Sequence, residues 1–156
     1  MSELLQAVYR GDQARVDELL SGDPELDVFE ASAVGRVDQL QELLDGDPSL
    51  ANAWAEDGFQ PLGLASFFGH VEAARLLVER GADVNSASRN DMKVAPLHSA
   101  AAEKDPETRY ELATVLLEHG ADPNARQQND FTPLMAADQQ GDARLRELLV
   151  EHGAIE

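Results

Sequence analysis

No cysteine occurs among the 156 residues, which excludes disulfide bridges, thiolate metal sites and thiol nucleophiles together. Cationic side chains are scarce: 12 Lys and Arg stand against 30 Asp and Glu, giving a formal net charge of −18. Such a chain repels phosphate backbones and anionic lipid surfaces, which both call for clustered Lys and Arg. Neither nucleic acid nor a membrane is an expected partner, whereas a basic protein would be attracted. The same acidity serves solubility and keeps a chain monomeric, so a monomer is expected. No apolar run approaches the ~18 residues of a membrane-spanning helix. The N-terminal stretch MSELLQAVYRGDQARVDELL reads as an acidic amphipathic helix pattern and lacks the basic and apolar regions of a signal peptide. A cytoplasmic location follows as an expectation. Aromatic residues are also few, 1 Trp, 2 Tyr and 5 Phe, so the place of each one carries weight.

Catalytic patterns are missing as well. No serine stands in a G-x-S-x-G elbow, and no lysine closes a glycine-rich phosphate loop. The histidines His70, His98, His119 and His152 include no i, i+4 pair of the kind that holds zinc on a helix. Arg89, Lys93, Arg109 and Arg126 are scattered singly, too sparse for a nucleic-acid footprint. Asp83 and Asp122 fall in Gly-Ala-Asp turns, where a carboxylate bonds nearby amides. Asp12, Asp17, Asp38 and Asp142 fall near helix starts, where negative charge is favoured. No catalytic residue, metal site or cofactor is expected, and the chain reads as no enzyme.

What the chain does contain is repetition. ARLLVERGADVN (Ala74–Asn85), ATVLLEHGADPN (Ala113–Asn124) and RELLVEHGAIE (Arg146–Glu156) share an apolar run ending in Gly-Ala. Their glycines, Gly81, Gly120 and Gly153, lie 39 and 33 residues apart. Each block is preceded by a second echo: QPLGLA from Gln60, APLHSAA from Ala95 and TPLMAA from Thr132. A period near 33 with a T-P-L-H-x-A signature resembles the ankyrin repeat. The resemblance implies an all-α solenoid, a stack of five helix-turn-helix units with short β-hairpin connections. It covers essentially the whole chain as one domain, with repeats near 1–26, 27–56, 57–89, 90–128 and 129–156.

The residues give each unit its own detail. In the third repeat, Gln60–Phe68 and Val71–Arg80 read as the two helices around a Gly69-His70 turn. Val71, Ala74, Leu77 and Val78 recur on one inward stripe. The first repeat reads as helices near Ser2–Arg10 and Gln13–Leu20, and the second spans Asp27–Leu44. The early repeats are shortened by about one hairpin, and Gly22-Asp23-Pro24 and Gly46-Asp47-Pro48 mark sharp helix stops. Repeat four departs twice, with an enlarged hairpin tip before Pro96 and four extra residues between its helices. Asp105-Pro106-Glu107 then reads as a helix restart, Asp as cap and Pro in the first turn. These insertions are either partner-facing loops or drift in exposed segments. The inner second-helix position holds Val16, Leu40, Ala74 and Ala113, then Arg146, a polar residue suited to an uncovered stack end. Five repeats are thus expected to be the entire protein.

In such repeats, the resemblance implies, the His of T-P-L-H bonds backbone of a neighbouring hairpin, a bracing role for His98. It also implies a partner-binding concave face made of hairpin tips and the exposed ends of first helices. The candidates there are Tyr9, Arg10, Phe67, Phe68, Glu103 and Gln139, with Trp54, Phe59, Arg89, Asn90, Met92, Arg126, Gln128 and Phe131 from the connections. Aromatic and Arg anchors are the stuff of interface hot spots. Adjacent helical residues point ~100° apart, so Phe67 and Phe68 divide between groove and neighbouring repeat. Trp54, Phe59 and Phe131 have two readings, contact with a partner or bracing of consecutive hairpins. The expected function is a non-catalytic protein–protein interaction module with an acidic concave surface. An inhibitor or immunity-type regulator that blocks a basic enzyme or nucleic-acid-binding protein by acidic mimicry is the alternative.

Overall fold

The computed structural model describes all of residues 1–156. Ten α-helices follow one another as five pairs: α1 (Glu3–Arg10) with α2 (Gln13–Leu20), α3 (Val28–Val34) with α4 (Val37–Gly46), α5 (Pro61–Phe67) with α6 (Val71–Glu79), α7 (Pro96–Ala101) with α8 (Pro106–Glu118), and α9 (Pro133–Gln140) with α10 (Ala143–Glu151). Their starts follow from local chemistry. Side chains of Ser2, Asp12, Asp27, Asp105, Thr132 and Asp142 each accept the amide N–H three residues on, satisfying donors that the first helical turn leaves free. Proline, which has no N–H to lose, opens α5, α7, α8 and α9. Gly11 and Gly35 end α1 and α3 at φ 70° and 74°, a left-handed turn that reverses the chain within two residues.

The pairs stack so that first helices contact first helices, α1 to α3 to α5 to α7 to α9. Second helices line up likewise from α4 to α10. Between the two layers runs one apolar core extending from Leu4 to Leu149. Leu40, Leu44, Leu77, Leu112, Leu116, Leu145 and Leu149 are fully buried in it, each worth about 1.5–3 kcal/mol relative to exposure. No single pair could bury its apolar stripe alone, so each repeat depends on its neighbours. Val16, Leu40, Ala74 and Ala113 are buried at the inner position. Arg146, their counterpart in the last repeat, lies partly open and pairs with Asp138 at 3.3 Å and with Glu156.

The connections differ from the hairpins that the resemblance implied. They keep a hairpin's outline without forming strands. One backbone bond closes each: Ala55 N–H to Phe59 O at 2.8 Å, Ser88 N–H to Val94 O at 2.9 Å, and Gln127 N–H to Phe131 O at 3.0 Å. Further amides go sideways to the neighbouring tip instead, Arg89 N–H to Gly58 O at 2.7 Å and Gln128 N–H to Met92 O at 3.3 Å. The tips are therefore a stack of turns rather than a ladder of strand pairs. Below them Asn52, Asn85 and Asn124 make a second inter-repeat ladder. Each side-chain amide donates to a carbonyl of the next repeat, Gly81, Gly120 and Gly153, at 2.9–3.0 Å. Each side-chain oxygen accepts an N–H two residues beyond that carbonyl. After α4 the expected stop is followed by a short 3-10 helix, Pro48–Asn52, capped by Asp47.

The insertion in repeat four has a specific brace. Arg109, read from sequence as a solitary cation, is buried. Its guanidinium donates from Nε to Glu103 O at 2.8 Å and from Nη2 to Lys104 O at 3.2 Å. Nη1 reaches Asp142 Oδ2 of the last repeat at 2.6 Å. The longer turn is thus tied down from within, because the extra carbonyls it exposes find donors on one side chain.

Candidate functional site

Four aromatic rings collect on the first-helix side of repeats one to three. Tyr9 meets Phe68 edge-on at 5.3 Å, Phe68 meets Phe67 at 5.0 Å, and Phe67 tilts against Phe59 at 5.9 Å, separations typical of favourable ring pairs. The hydroxyl of Tyr9 donates to Asp57 Oδ2 at 2.5 Å. Burial, reinforced by that carboxylate, holds its phenol well above the ordinary tyrosine range. The two phenylalanines divide as helical geometry requires. Phe68 turns toward the earlier repeats, in a cleft shared with Val8, Val34 and His70. Phe67 stays 39% exposed and faces the later ones.

Three candidate contact residues have contacts of their own within the chain. Phe59 is only 4% exposed, its ring packed so closely on α5 that a Cβ at Gly63 would lie 3.0 Å from it. The half-buried Trp54 carries the Arg89 guanidinium 3.7 Å above its ring centre, which fastens one tip to the next. Asn90 has its polar atoms committed: its amide donates to Asp57 O at 3.1 Å, and its oxygen accepts from the Ser88 hydroxyl and the Met92 N–H. These contacts match the bracing reading of Phe59 and Trp54 and tie Asn90 to the neighbouring tip.

Phe67, Met92 and Phe131 wall a cleft of about 360 Å³ that bridges repeats three to five, with Val94, His98 and Ala102 also lining it. Met92 is 44% exposed. His98 takes the bracing position that the resemblance implied, and its tautomer is set by its partners. Nδ1 accepts the Ala95 N–H at 3.2 Å, so Nε2 carries the proton toward Ala125 O at 2.8 Å. Burial lowers its pKa, against the opposing pull of that carbonyl. His70, in the turn before α6, reaches back instead to α3 of the preceding repeat, Nε2 to Ala33 O at 2.9 Å, and burial lowers it too. Glu103 and Lys104 also line the cleft; the Glu103 carboxylate lies so near Gly69 that a Cβ there would meet it at 2.8 Å.

Other candidates stand apart from this cleft. Arg10 is exposed and bonds Gln6 at 3.1 Å. Arg126 lines a separate depression near the C-terminus with Asp138 and Arg146. Gln128 borders a shallow one with Asp91 and Lys93. Gln139 is exposed, whereas its neighbour Gln140 reaches Ala102 O at 3.4 Å. Val94, Lys104 and Gln127 belong to the cleft yet went unselected from sequence. For Lys104 a signal existed, since it sits in the four-residue insertion.

Charge is unevenly divided between the two helix layers. The five second helices hold twelve acidic and five basic side chains, the five first helices three and one. Within the helices, negative charge is therefore concentrated in the second-helix layer; the other half of the acidic side chains lie in the connections and turns. Core packing explains it, because a first helix is flanked on both sides and keeps few solvated positions. No group of three His, Asp or Glu side chains converges as metal ligands would, and no helix is long and apolar enough to cross a membrane.

Comparison with known proteins agrees with this architecture. A family model described as ankyrin repeats, three copies, matches residues 4–127. The human DNA-binding protein RFXANK is 45% identical over 58 residues, 37% of this chain and 22% of that protein. Mouse ankyrin repeat and SAM domain-containing protein 6 is 39% identical over 59 residues, 38% of this chain and 7% of that protein. The probable E3 ubiquitin-protein ligase XBOS31 of Oryza sativa is 36% identical over 84 residues, 53% and 18% respectively. The matched segments thus span about a fifth or less of these relatives' own lengths. With most of its length matched by the repeat family and its helix pairs stacked in register, the chain belongs to the ankyrin-repeat family.

Proposed function

We propose that this ankyrin-repeat chain, a protein-interaction module by family, is non-catalytic and holds one partner protein in the cleft of repeats three to five. The carrying observation is Phe67, an exposed ring at the centre of an aromatic cluster whose other members are engaged within the chain. Met92, Phe131 and Glu103 extend the contact, with Tyr9 and Phe68 supporting Phe67 from behind. Stacked helices fix the cleft beforehand, so little ordering entropy is lost on docking. The module works as a monomer, and the cytoplasm is the compartment this reading assumes. The DNA-binding and ligase names belong to relatives matched over small parts of their length, and neither activity is carried over. Affinity capture from the source lysate with wild type and Phe67→Ala tests the reading. Loss of a captured protein with only a small fall in Tm is expected; equal capture by both would end it.

A second reading, docking of a basic enzyme or nucleic-acid-binding protein by acidic mimicry, has one observation in its favour. Asp45, Glu79, Glu118 and Glu151 occupy equivalent positions on successive second helices, all exposed; only Asp45 has a cationic partner, Arg80. A partner on that face would dissociate with added salt and would ignore Phe67→Ala.

A further inference from the structure

The cleft's chemistry narrows what it can hold, and the narrowing rests on the cleft being the docking site. Of the 12 Lys and Arg side chains, Arg10, Arg89, Lys93 and Lys104 have no carboxylate within 4.0 Å, while the other eight form ion pairs. In a chain with 30 acidic residues, a cation without a partner is the exception. All four belong to the first-helix and connection side, and Arg89 is used on Trp54. Lys104 is exposed and lines the same cleft as Phe67, Met92 and Phe131. Its neighbour Glu103, which lines the same cleft, makes no ion pair with it: that carboxylate accepts the Lys104 backbone N–H at 3.2 Å and lies against Gly69. The nearby Arg109 adds no unmatched charge, because Asp142 pairs with it.

We infer that the cleft receives a segment of the partner protein carrying one apolar side chain next to an Asp or Glu. The apolar group enters between Phe67, Met92 and Phe131, and the carboxylate pairs with Lys104. Apolar burial supplies the affinity, and the lysine supplies orientation, since a partly exposed pair contributes only modestly. The occupant is thus locally acidic although the molecule as a whole is acidic too. Added salt should then leave association unchanged or faster, because it screens the repulsion of the −18 chain. A basic partner would give the opposite slope.

A displayed library of random linear peptides panned on the full chain provides the probe, followed by fluorescence titration of the selected peptides. The expected result is enrichment of an apolar residue beside Asp or Glu. Phe67→Ala and, independently, Met92→Ser should each weaken binding about tenfold or more. Lys104→Glu should weaken it about tenfold with an unchanged melting curve, and Lys104→Gln by less. Peptides that need Phe67 but are rich in Lys or Arg, or bind Lys104→Glu equally well, would overturn the acidic assignment and leave the cleft standing. Peptides indifferent to both Phe67→Ala and Met92→Ser would remove the cleft itself. Failure to enrich any peptide would count against a linear segment as the occupant.

Discussion

Arg109 and Asp142 form a single ion pair, but it joins the insertion of repeat four to the last repeat, and both side chains are nearly closed to solvent. Truncating the arginine would strand a buried carboxylate and two carbonyls, so Arg109→Ala is expected to cost about 3–5 kcal/mol. Urea denaturation checks this, and a loss below about 1 kcal/mol would show that the turn re-solvates freely. The phenylalanines make a sharper residue-level contrast. Phe59→Ala opens a cavity under α5 and should cost about 3–5 kcal/mol. Phe67→Ala removes a half-open ring and should cost markedly less, seen as a smaller fall in Tm. Ser66 and Ser99 have buried hydroxyls without a hydrogen-bond partner. Ser66→Ala should therefore leave Tm unchanged or raise it, since an unsatisfied group is removed.

At the scale of elements, helix positions were legible because their signals are local. Asp105 and Pro106 marked the start of α8, and the Gly69-His70 turn the end of α5, through chemistry confined to one turn. The links between elements were not legible in the same way. Asn52, Asn85 and Asn124 recur in the sequence, but their partners lie 29 to 37 residues away. Only the stacking distance puts them in reach. Asn85→Ala removes bonds to Gly120 O and from Asp122 N–H together, and is expected to cost about 1–3 kcal/mol. Faster hydrogen exchange at the Asp122 amide, with the amides inside α5 unaffected, would locate the damage at the repeat boundary. Uniform exchange throughout the chain would contradict that placement.

For the molecule as a whole, pH is a test of how the stack is braced. His70 and His98 are both held below the ordinary histidine pKa by burial. Between that lowered value and about 6.5 the unfolded chain binds more protons than the folded one, so stability rises with pH there. The contribution is complete above about pH 6.5 and is lost as pH falls through the folded values. The urea midpoint should drop between about pH 7 and about pH 5, and His98→Gln should flatten part of that drop. Asp142 acts in a lower window. Burial alone would raise its pKa, but the Leu145 amide and then Arg109 outweigh it and lower the carboxyl. Its contribution is present above about pH 4 and fails as acid protonates it. A midpoint that stayed level through the histidine window would mean that the two imidazoles brace nothing.

The sequence by itself determined that helices pair, that five pairs follow one another, and where most begin and end. Apolar spacing, caps and turn glycines act within a few residues, so the chain states them directly. It also marked Phe67-Phe68 as a place of interest without saying which ring would face out. That choice, the burial of Phe59, the engagement of Trp54 and Asn90, and the interior position of Arg109 were decided by neighbouring repeats, whose surfaces no local pattern describes. So was the division of charge between the helix layers: acidity is a property of composition, but the excess on second over first helices follows from which layer the stack leaves open to water.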